Sequence, residues 1–311
     1  MCGRVFMFAA PNPGDKVVVA VTPARLATSH RSSQLSYLQL SNIAQTAEML
    51  PLKTIGVLLR DDEQSVPLEQ MKIQFDRIGA RLQLLDRTDH GVKLDLVIAM
   101  GGDGTVLRAL DEYPGQPVLA INYGTVGFLT AGDRSDLDKV LTRLIAGDFA
   151  ISERLILRCD FSGGAVHAVN EVVVRSALRM IELDVFVNET KIRTIRGDGV
   201  IVGTATGSTG YLLSTGAPLV MPDVDCFILD GINEYNFSSR ALILSPDTTI
   251  RIHLAQADDD QKPRLIVDGK SVGVIAAGEE IVLSRSERRA QLIFFEENYF
   301  FHNLSSRLSW H

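Results

Sequence analysis

Leu94-Asp95-Leu96-Val97-Ile98-Ala99-Met100-Gly101-Gly102-Asp103-Gly104-Thr105 decides how the first half of the chain is read. An apolar run of strand length stops at a glycine pair. One carboxylate, a third glycine and Thr105 follow, and Val106 to Leu110 have helical composition. Glycines let the backbone turn tightly and let a ligand approach bare amide groups. Ahead of a helix N-terminus such a turn suits a phosphate, because unpaired N–H groups and the helix dipole both favour negative charge there. The amides of Gly101, Gly102, Gly104 and Thr105 are therefore the candidate phosphate donors. Asp103 is the anomaly, an anion placed where an anion would bind. It makes chemical sense if the carboxylate takes or orients a proton on an attacking hydroxyl. The stretch is then a phosphoryl-transfer site with Asp103 as its catalytic group; the plainer alternative is an ordinary Gly-Asp-Gly turn after a buried strand.

Working outward, strand and helix alternate from Lys53 to about residue 150. Ile55 to Leu59 has strand character, and Pro67 opens a helix with Leu68, Met71, Phe75 and Ile78 on one face, ended by Gly79. Leu82 to Leu85 reads as a strand, as does Pro117 to Ile121 after a helix over 105–113. The cleanest helix covers 135–146, with Leu137, Val140, Leu141, Leu144 and Ile145 along one side and Gly147 as its stop. This alternation predicts a doubly wound, Rossmann-like α/β domain over 53–150. In such sheets ligands bind beyond the carboxyl ends of strands, where Gly101 to Gly104 lie.

Past a boundary near Phe149–Ser152 the pattern changes to short β-rich runs. They are Leu155–Phe161, Val166–Arg175, Leu183–Val187, Asp198–Val202, Ala241–Leu244, Thr249–Leu254, Leu265–Val267 and Glu280–Leu283, with turns at Gly163-Gly164, Asn188-Glu189 and Asp268-Gly269. Residues 151–290 therefore read as an antiparallel β-sandwich domain. Residues 1–52 form an extension without an assigned structure: Val17 to Val21 has strand character, Ser29 to Gln34 is loop-like, and Leu38 to Leu50 has some helical spacing.

The 311 residues are 46% hydrophobic and 22% charged, enough for two soluble globular domains. A formal charge of −7 disfavours nucleic acid and anionic membranes as partners. Three scattered cysteines, Cys2, Cys159 and Cys226, suit neither a disulfide framework nor a zinc site. No stretch approaches the roughly 18 uninterrupted apolar residues of a membrane span, and the short N-terminal apolar patch is cut off at Pro11. A cytoplasmic protein is expected.

One segment of the second half is unusual. Asp198-Gly199-Val200-Ile201-Val202-Gly203 reads as a strand, and Thr204-Ala205-Thr206-Gly207-Ser208-Thr209-Gly210-Tyr211 crowds hydroxyls, glycines and an aromatic ring together. A Ser/Thr/Gly-rich structural loop has the same composition. Hydroxyls and free amides beside a ring also suit an adenine, with polar edge contacts and stacking.

Together these stretches resemble the NAD kinase family, which transfers a phosphoryl group to the 2′-hydroxyl of NAD. Gly101 to Thr105 resembles the family's GGDGT signature, and Asn122 to Thr130 its N-x-G-x-x-G-F-L-T segment. Asn170-Glu171 resembles its Asn-Glu pair, Asp198-Gly199 with Thr204 to Tyr211 its DG…TPTGSTAY stretch, and Leu304 to Trp310 its closing K-L-G-W. The likeness runs from about Lys53 to the end. Lipid kinases and phosphofructokinases carry similar phosphate turns, but in the former an Asn-Glu pair follows at once, where this chain has Val106-Leu107-Arg108, and the latter's T-I-D-N-D is absent. Ala205 replaces the usual Pro, Gly210 the usual Ala, and Glu234 to Ala241 stands in for P-H-S-L-S-F-R-P, so the family's histidine has no counterpart.

The resemblance implies an enzyme making NADP from NAD and ATP or polyphosphate. Mg²⁺ would accompany the donor without direct protein ligands, and the chain would assemble as a homodimer or homotetramer. A C-terminal tail, 291–311, would return to the α/β domain. Asp103 would act on the 2′-hydroxyl. The implied NAD-binding set is Asn122, Phe128, Asn170, Glu171, Thr206, Thr209, Gly210, Tyr211 and Ser214, with Arg179, Arg196 and Asp198 toward the phosphates and nicotinamide half and Lys270 as a looser candidate. Two alternatives remain at this level: a lipid or sugar kinase of the same superfamily, and a dinucleotide-binding sensor without catalysis.

Overall fold

The computed structural model describes residues 50, 52–60, 66–86, 92–124, 127–235, 240–255 and 262–308. The readings for residues 1–49, for Thr125 and Val126, for Asn236 to Ser239 and for Trp310 lie outside these.

The first half builds β1 (Thr54–Leu59), α1 (Leu68–Asp76), β2 (Arg81–Leu84), β3 (Leu96–Gly101), α2 (Asp103–Glu112), β4 (Pro117–Asn122), β5 (Gly132–Asp133) and α3 (Leu137–Ile145). Strands β3 and β4 are buried at every residue, as continuous apolar runs in a two-sided parallel sheet must be. Helices α1 and α3 cover one face, where Met71, Phe75, Leu141 and Leu144 meet Ile98, Leu119 and Ile121. Helix α2 covers the other through Val106, Ala109 and Leu110. Ile78 departs from expectation: α1 stops at Asp76, and Ile78 sits 43% exposed in the turn that Gly79 closes at φ +74°.

The second half builds β6 (Ala150–Phe161), β7 (Gly164–Ala168), β8 (Glu171–Arg175), β9 (Ile181–Val187), β10 (Thr190–Gly197), β11 (Gly199–Thr204), a 3₁₀ turn at Thr206–Thr209 and α4 (Leu212–Thr215). It continues with β12 (Phe227–Ile232), β13 (Leu242–Leu244), β14 (Ile250–Leu254), β15 (Arg264–Val267), β16 (Lys270–Val274), β17 (Glu280–Phe294) and α5 (Tyr299–Leu308). A six-stranded sheet, β13-β12-β11-β8-β15-β16, faces the antiparallel end of the large sheet across a core of Leu157, Val172, Leu183, Val202, Phe227 and Leu283, among others. The fold is thus an α/β sheet followed by an antiparallel β-sandwich.

Strand β17 joins the halves. It pairs antiparallel with β14 near its start and with β6 over much of its length, then runs parallel to β4 at Gln291 to Ile293. The large sheet therefore passes unbroken across the expected divide at 290–291. Beyond β17 the chain turns into α5, whose Phe300 and Leu304 pack on Phe128, returning the tail to the α/β half.

The run Val166–Arg175, expected as one strand, is two strands in two sheets. Its break at Val169-Asn170 has a definite cause. The Asp268 carboxylate, on the β15–β16 turn, accepts the amides of Val169 (2.8 Å), Asn170 (2.8 Å) and Glu171 (3.1 Å). The backbone bends around this carboxylate and delivers Asn170 and Glu171 to the start of β8, between β11 and β15.

Candidate active site

Asp103 is the first residue of α2, with Gly102 as N-cap. Its side chain turns to the 127–130 loop: Phe128 N–H donates to Oδ2 at 3.0 Å and Leu129 N–H to Oδ1 at 3.1 Å. Two amides orient the carboxylate and leave each oxygen a lone pair for a further donor. Gly127 makes this approach possible, since a Cβ there would lie 2.1 Å from Asp103 Oδ1. Of the proposed phosphate donors, Thr105 N–H already donates to the Gly102 carbonyl at 2.9 Å, within the first helical turn.

Asn122 is 3% exposed and shapes this loop from within. Its Nδ2 donates to Gly124 O and Asp133 Oδ1, both 2.9 Å, and its Oδ1 accepts Gly124 N–H at 3.2 Å. The Phe128 ring is 8% exposed, packed under Phe300 and Leu304, with the Arg307 guanidinium 5.5 Å from its centroid. Phe128 thus meets Asp103 through its amide, while α5 covers the ring.

The second cluster surrounds the 3₁₀ turn. Asn170 O accepts Thr204 N–H at 2.9 Å, Glu171 Oε2 accepts Tyr211 N–H at 3.4 Å, and Thr209 Oγ1 donates to Thr206 O at 3.1 Å. Ser214 is exposed, its hydroxyl on Tyr211 O at 2.8 Å. Gly210 leaves room for the side chains of the Asn-Glu pair: a Cβ there would stand 2.8 Å from Glu171 Oε2 and 3.3 Å from Asn170 Nδ2. Asn170 Oδ1 is buried without a hydrogen-bond partner among the described residues. Such an orphan acceptor calls for an explanation, and a ligand donor supplies one. Tyr211 and Ser214 also line a cavity of about 560 Å³ with Thr215, Asp230, Asn233 and Arg240. Asp198 stands behind it, its Oδ2 accepting Asn233 Nδ2–H at 2.7 Å.

Helix α2 and a buried arginine connect the clusters. Val169, beside the Asn-Glu pair, packs in the same core as Val106, Ala109 and Leu110 of α2, which begins at Asp103. Arg154, on β6 and 2% exposed, donates from Nη1 to Thr206 Oγ1 at 3.3 Å, from Nε to Ser152 Oγ at 3.0 Å, and from Nη2 to Tyr299 OH. Burial is the main influence on this guanidinium and lowers its pKa, opposed by Tyr299 and Asp223.

Three candidates lie outside this gathering. Arg196 pairs with Glu182 at 2.9 Å across the exposed β9–β10 hairpin, and Arg179 occupies an exposed loop after β8. Lys270 pairs with Asp111 at 3.0 Å, near the far end of α2 from Asp103. Sequence reasoning missed Arg154, Asp268 as the holder of the Asn-Glu pair, and Arg60. Arg60 leaves β1 over the glycine turn, its Cβ 3.3 Å from where a Gly101 Cβ would stand. A cation directly following a buried strand was its available signal.

Both halves of this arrangement match known family models: residues 53–149 match the ATP-NAD kinase N-terminal domain, and residues 169–295 its C-terminal domain. The chain belongs to the NAD kinase family. A NAD kinase of Clostridium perfringens is 33% identical over 274 residues, 83% of this chain and 99% of that protein. A bifunctional NADP phosphatase/NAD kinase of Methanocaldococcus jannaschii is 37% identical over 277 residues, 83% of this chain, which spans 47% of that protein's length. An Archaeoglobus fulgidus NAD kinase solved with ATP superposes with a TM-score of 0.69 at 27% identity, covering 83% of this chain and 100% of that one. Yeast NADH kinase, solved with NADH, shares the fold at 23% identity and a TM-score of 0.76, covering 84% of this chain and 88% of its own.

In this member of the NAD kinase family the Asn-Glu pair has a pH signature. Burial foremost, then the nearby Asp268 charge, raises the Glu171 pKa from 4.5 to about 7. Asp268 is raised as well, chiefly by burial. The folded chain therefore binds a Glu171 proton more tightly than the unfolded chain does. Between about pH 4.5 and 7 the folded state holds more protons, so this group makes stability fall as pH rises, levelling above 7. The swing is on the order of 3 kcal/mol. Calorimetry is expected to show a higher Tm at pH 5.5 than at 7.5, with Glu171→Gln flattening the slope; an unchanged slope in the variant would assign it elsewhere.

Proposed function

We propose that the chain phosphorylates the 2′-hydroxyl of the adenosine ribose of NAD, giving NADP, with Asp103 as the group that accepts or orients the hydroxyl proton. The observation that carries this reading is the Asp103 carboxylate, fixed by two loop amides at the start of a helix beside a glycine turn. A hydroxyl is a poor nucleophile at neutral pH, and a positioned base contributes roughly 10²–10⁴-fold. The loose transition state of phosphoryl transfer leaves most of the remaining catalysis to positioning and charge.

The donor's phosphates lie on the glycine turn and the N-terminus of α2, with Arg60 as a cation above them. Asn170 Oδ1 accepts from the adenosine half, Glu171 in its ionised form accepts from the ribose diol, and Thr206 and Tyr211 border the adenine. The cavity beside Tyr211 and Ser214 receives the rest of the dinucleotide, which brings Asp198 near it through Asn233. Arg196, paired with Glu182 on the exposed β9–β10 hairpin, is the candidate cation for the nicotinamide half.

ATP is the donor the family description names; polyphosphate is the second possibility. Among the described residues no group of three or more His, Cys, Asp and Glu side chains could hold a metal ion. Mg²⁺ is proposed to arrive on the triphosphate, a binding mode that needs one or two carboxylates at most. When bound, Mg²⁺ would neutralise charge on the donor's phosphates. No helix among the described residues is long and apolar enough to cross a membrane; a cytoplasmic homodimer or homotetramer is the proposed state.

The test is incubation of the purified chain with NAD, ATP and Mg²⁺, with NADP read by an NADP-specific dehydrogenase. NADP formation supports the proposal. Binding of NAD without turnover points to a sensor, and phosphorylation of a lipid or sugar instead points to the wider kinase superfamily.

A further inference from the structure

Helix α5 carries two polar side chains four residues apart, Tyr299 and Asn303, on one face by helical geometry. Each reaches a different half of the site. The Tyr299 hydroxyl accepts from Arg154 Nη2, and Arg154 Nη1 holds Thr206 Oγ1. Stacking on Phe294, with ring centroids 3.4 Å apart, fixes the tyrosine ring. Asn303 Nδ2 donates to the carbonyls of Phe128 (3.3 Å) and Thr130 (3.2 Å). The Phe128 carbonyl lies between the two amides, of Phe128 and Leu129, that hold the Asp103 carboxylate, and the Thr130 carbonyl follows them along the same turn. Phe300 and Leu304 bury the intervening turn of α5 against Phe128, and Leu219 and Met221 of the other half pack on the same cluster.

We infer that α5 is a registering clamp, in which Asn303 positions the Asp103 carboxylate through the 128–130 turn while Tyr299 positions Thr206 through Arg154. Both are positioning residues, since neither touches the reacting atoms. The inference rests on the proposed roles of Asp103 and Thr206. Its physical basis is stiffness. A loop carboxylate aligned by two amides is only as well placed as the loop, and one amide group tying two of the loop's carbonyls removes the loop's freedom to slide. Because Tyr299 and Asn303 share one rigid helical turn, the acceptor site and the base move together or not at all.

The clamp predicts opposite kinetic signatures from neighbouring positions. Asn303→Asp keeps the side chain's shape but sets carboxylate oxygens against two carbonyls, so kcat is expected to fall roughly 10- to 100-fold with KM for NAD little changed. Asn303→Ala, which adds no charge, should share the direction. Tyr299→Phe keeps the stacked ring and removes the oxygen that accepts from Arg154, so KM for NAD is expected to rise about 5-fold or more with kcat spared. All three are measured with ATP saturating, beside Asp103→Asn and thermal melts. The split between kcat and KM supports the clamp. A parallel change of both parameters that tracks a lowered Tm, or wild-type kinetics in every clamp variant, overturns it. Wild-type turnover in Asp103→Asn would instead overturn the catalytic reading of Asp103.

Discussion

Asp103→Asn is expected to lower kcat by roughly 10²–10⁴-fold, the range a positioned proton acceptor supplies. The substitution is not silent structurally. Each carboxylate oxygen accepts a separate amide, Phe128 at 3.0 Å and Leu129 at 3.1 Å. In asparagine one of those oxygens becomes an NH₂ that faces an N–H. A lost bond with two donors opposed is expected to cost about 1–3 kcal/mol of stability, visible as a lower Tm. NAD binding should survive, because Asn170, Glu171 and the Thr206 turn are held by Asp268 and Arg154 instead. Single-turnover measurement with saturating NAD and ATP separates the two effects: the chemical step collapses while binding calorimetry still detects NAD. Retained turnover would remove Asp103 from the mechanism.

Gly127→Ala should nearly match that loss of activity although it changes no functional group. Its Cβ would lie 2.1 Å from Asp103 Oδ1 and 2.9 Å from Cγ. Relief requires the carboxylate to swing away by about 1 Å or the 128–129 amides to retreat, and misplacement on that scale costs about 10²-fold in rate. The charge, the glycine turn and the adenosine cluster all remain. A variant with normal NAD affinity and a rate near that of Asp103→Asn would show that geometry carries the catalysis. Full activity would mean that the loop yields and that the observed alignment is dispensable.

Local chemistry was legible in the sequence; long-range partnership was not. Leu96 to Gly101 and Pro117 to Asn122 announce themselves as buried strands because a two-sided sheet needs unbroken apolar runs. Helix α3 shows its buried stripe through its own spacing. The glycine turn is readable because every part of it lies within five residues. By contrast, Arg154 looks like one polar position in a strand, and only contacts to Thr206 and Tyr299, 52 and 145 residues later, make it a buried hub. Asp268 reads as a turn residue, since nothing in Asp268-Gly269 reveals that it bends the backbone at Val169 to Glu171.

Strand β12 was missed for a related reason. Asp230-Gly231 has the composition of a turn, yet lies within a strand, where Gly231 N–H donates to Asp230 Oδ1 at 2.9 Å. The pairing of Arg196 with Glu182 was likewise hidden, because it is set by cross-strand register, which one strand cannot disclose. The site's polar residue types were therefore readable, and the scaffold that aims them was not.

The most direct test is a crystal structure of the chain with NAD bound. The 2′-oxygen of the adenosine ribose is expected within about 3 Å of an Asp103 carboxylate oxygen, with Asn170 Oδ1 accepting from the adenosine half. A 2′-hydroxyl turned away from Asp103, or NAD seated apart from Asn170 and Glu171, would contradict it.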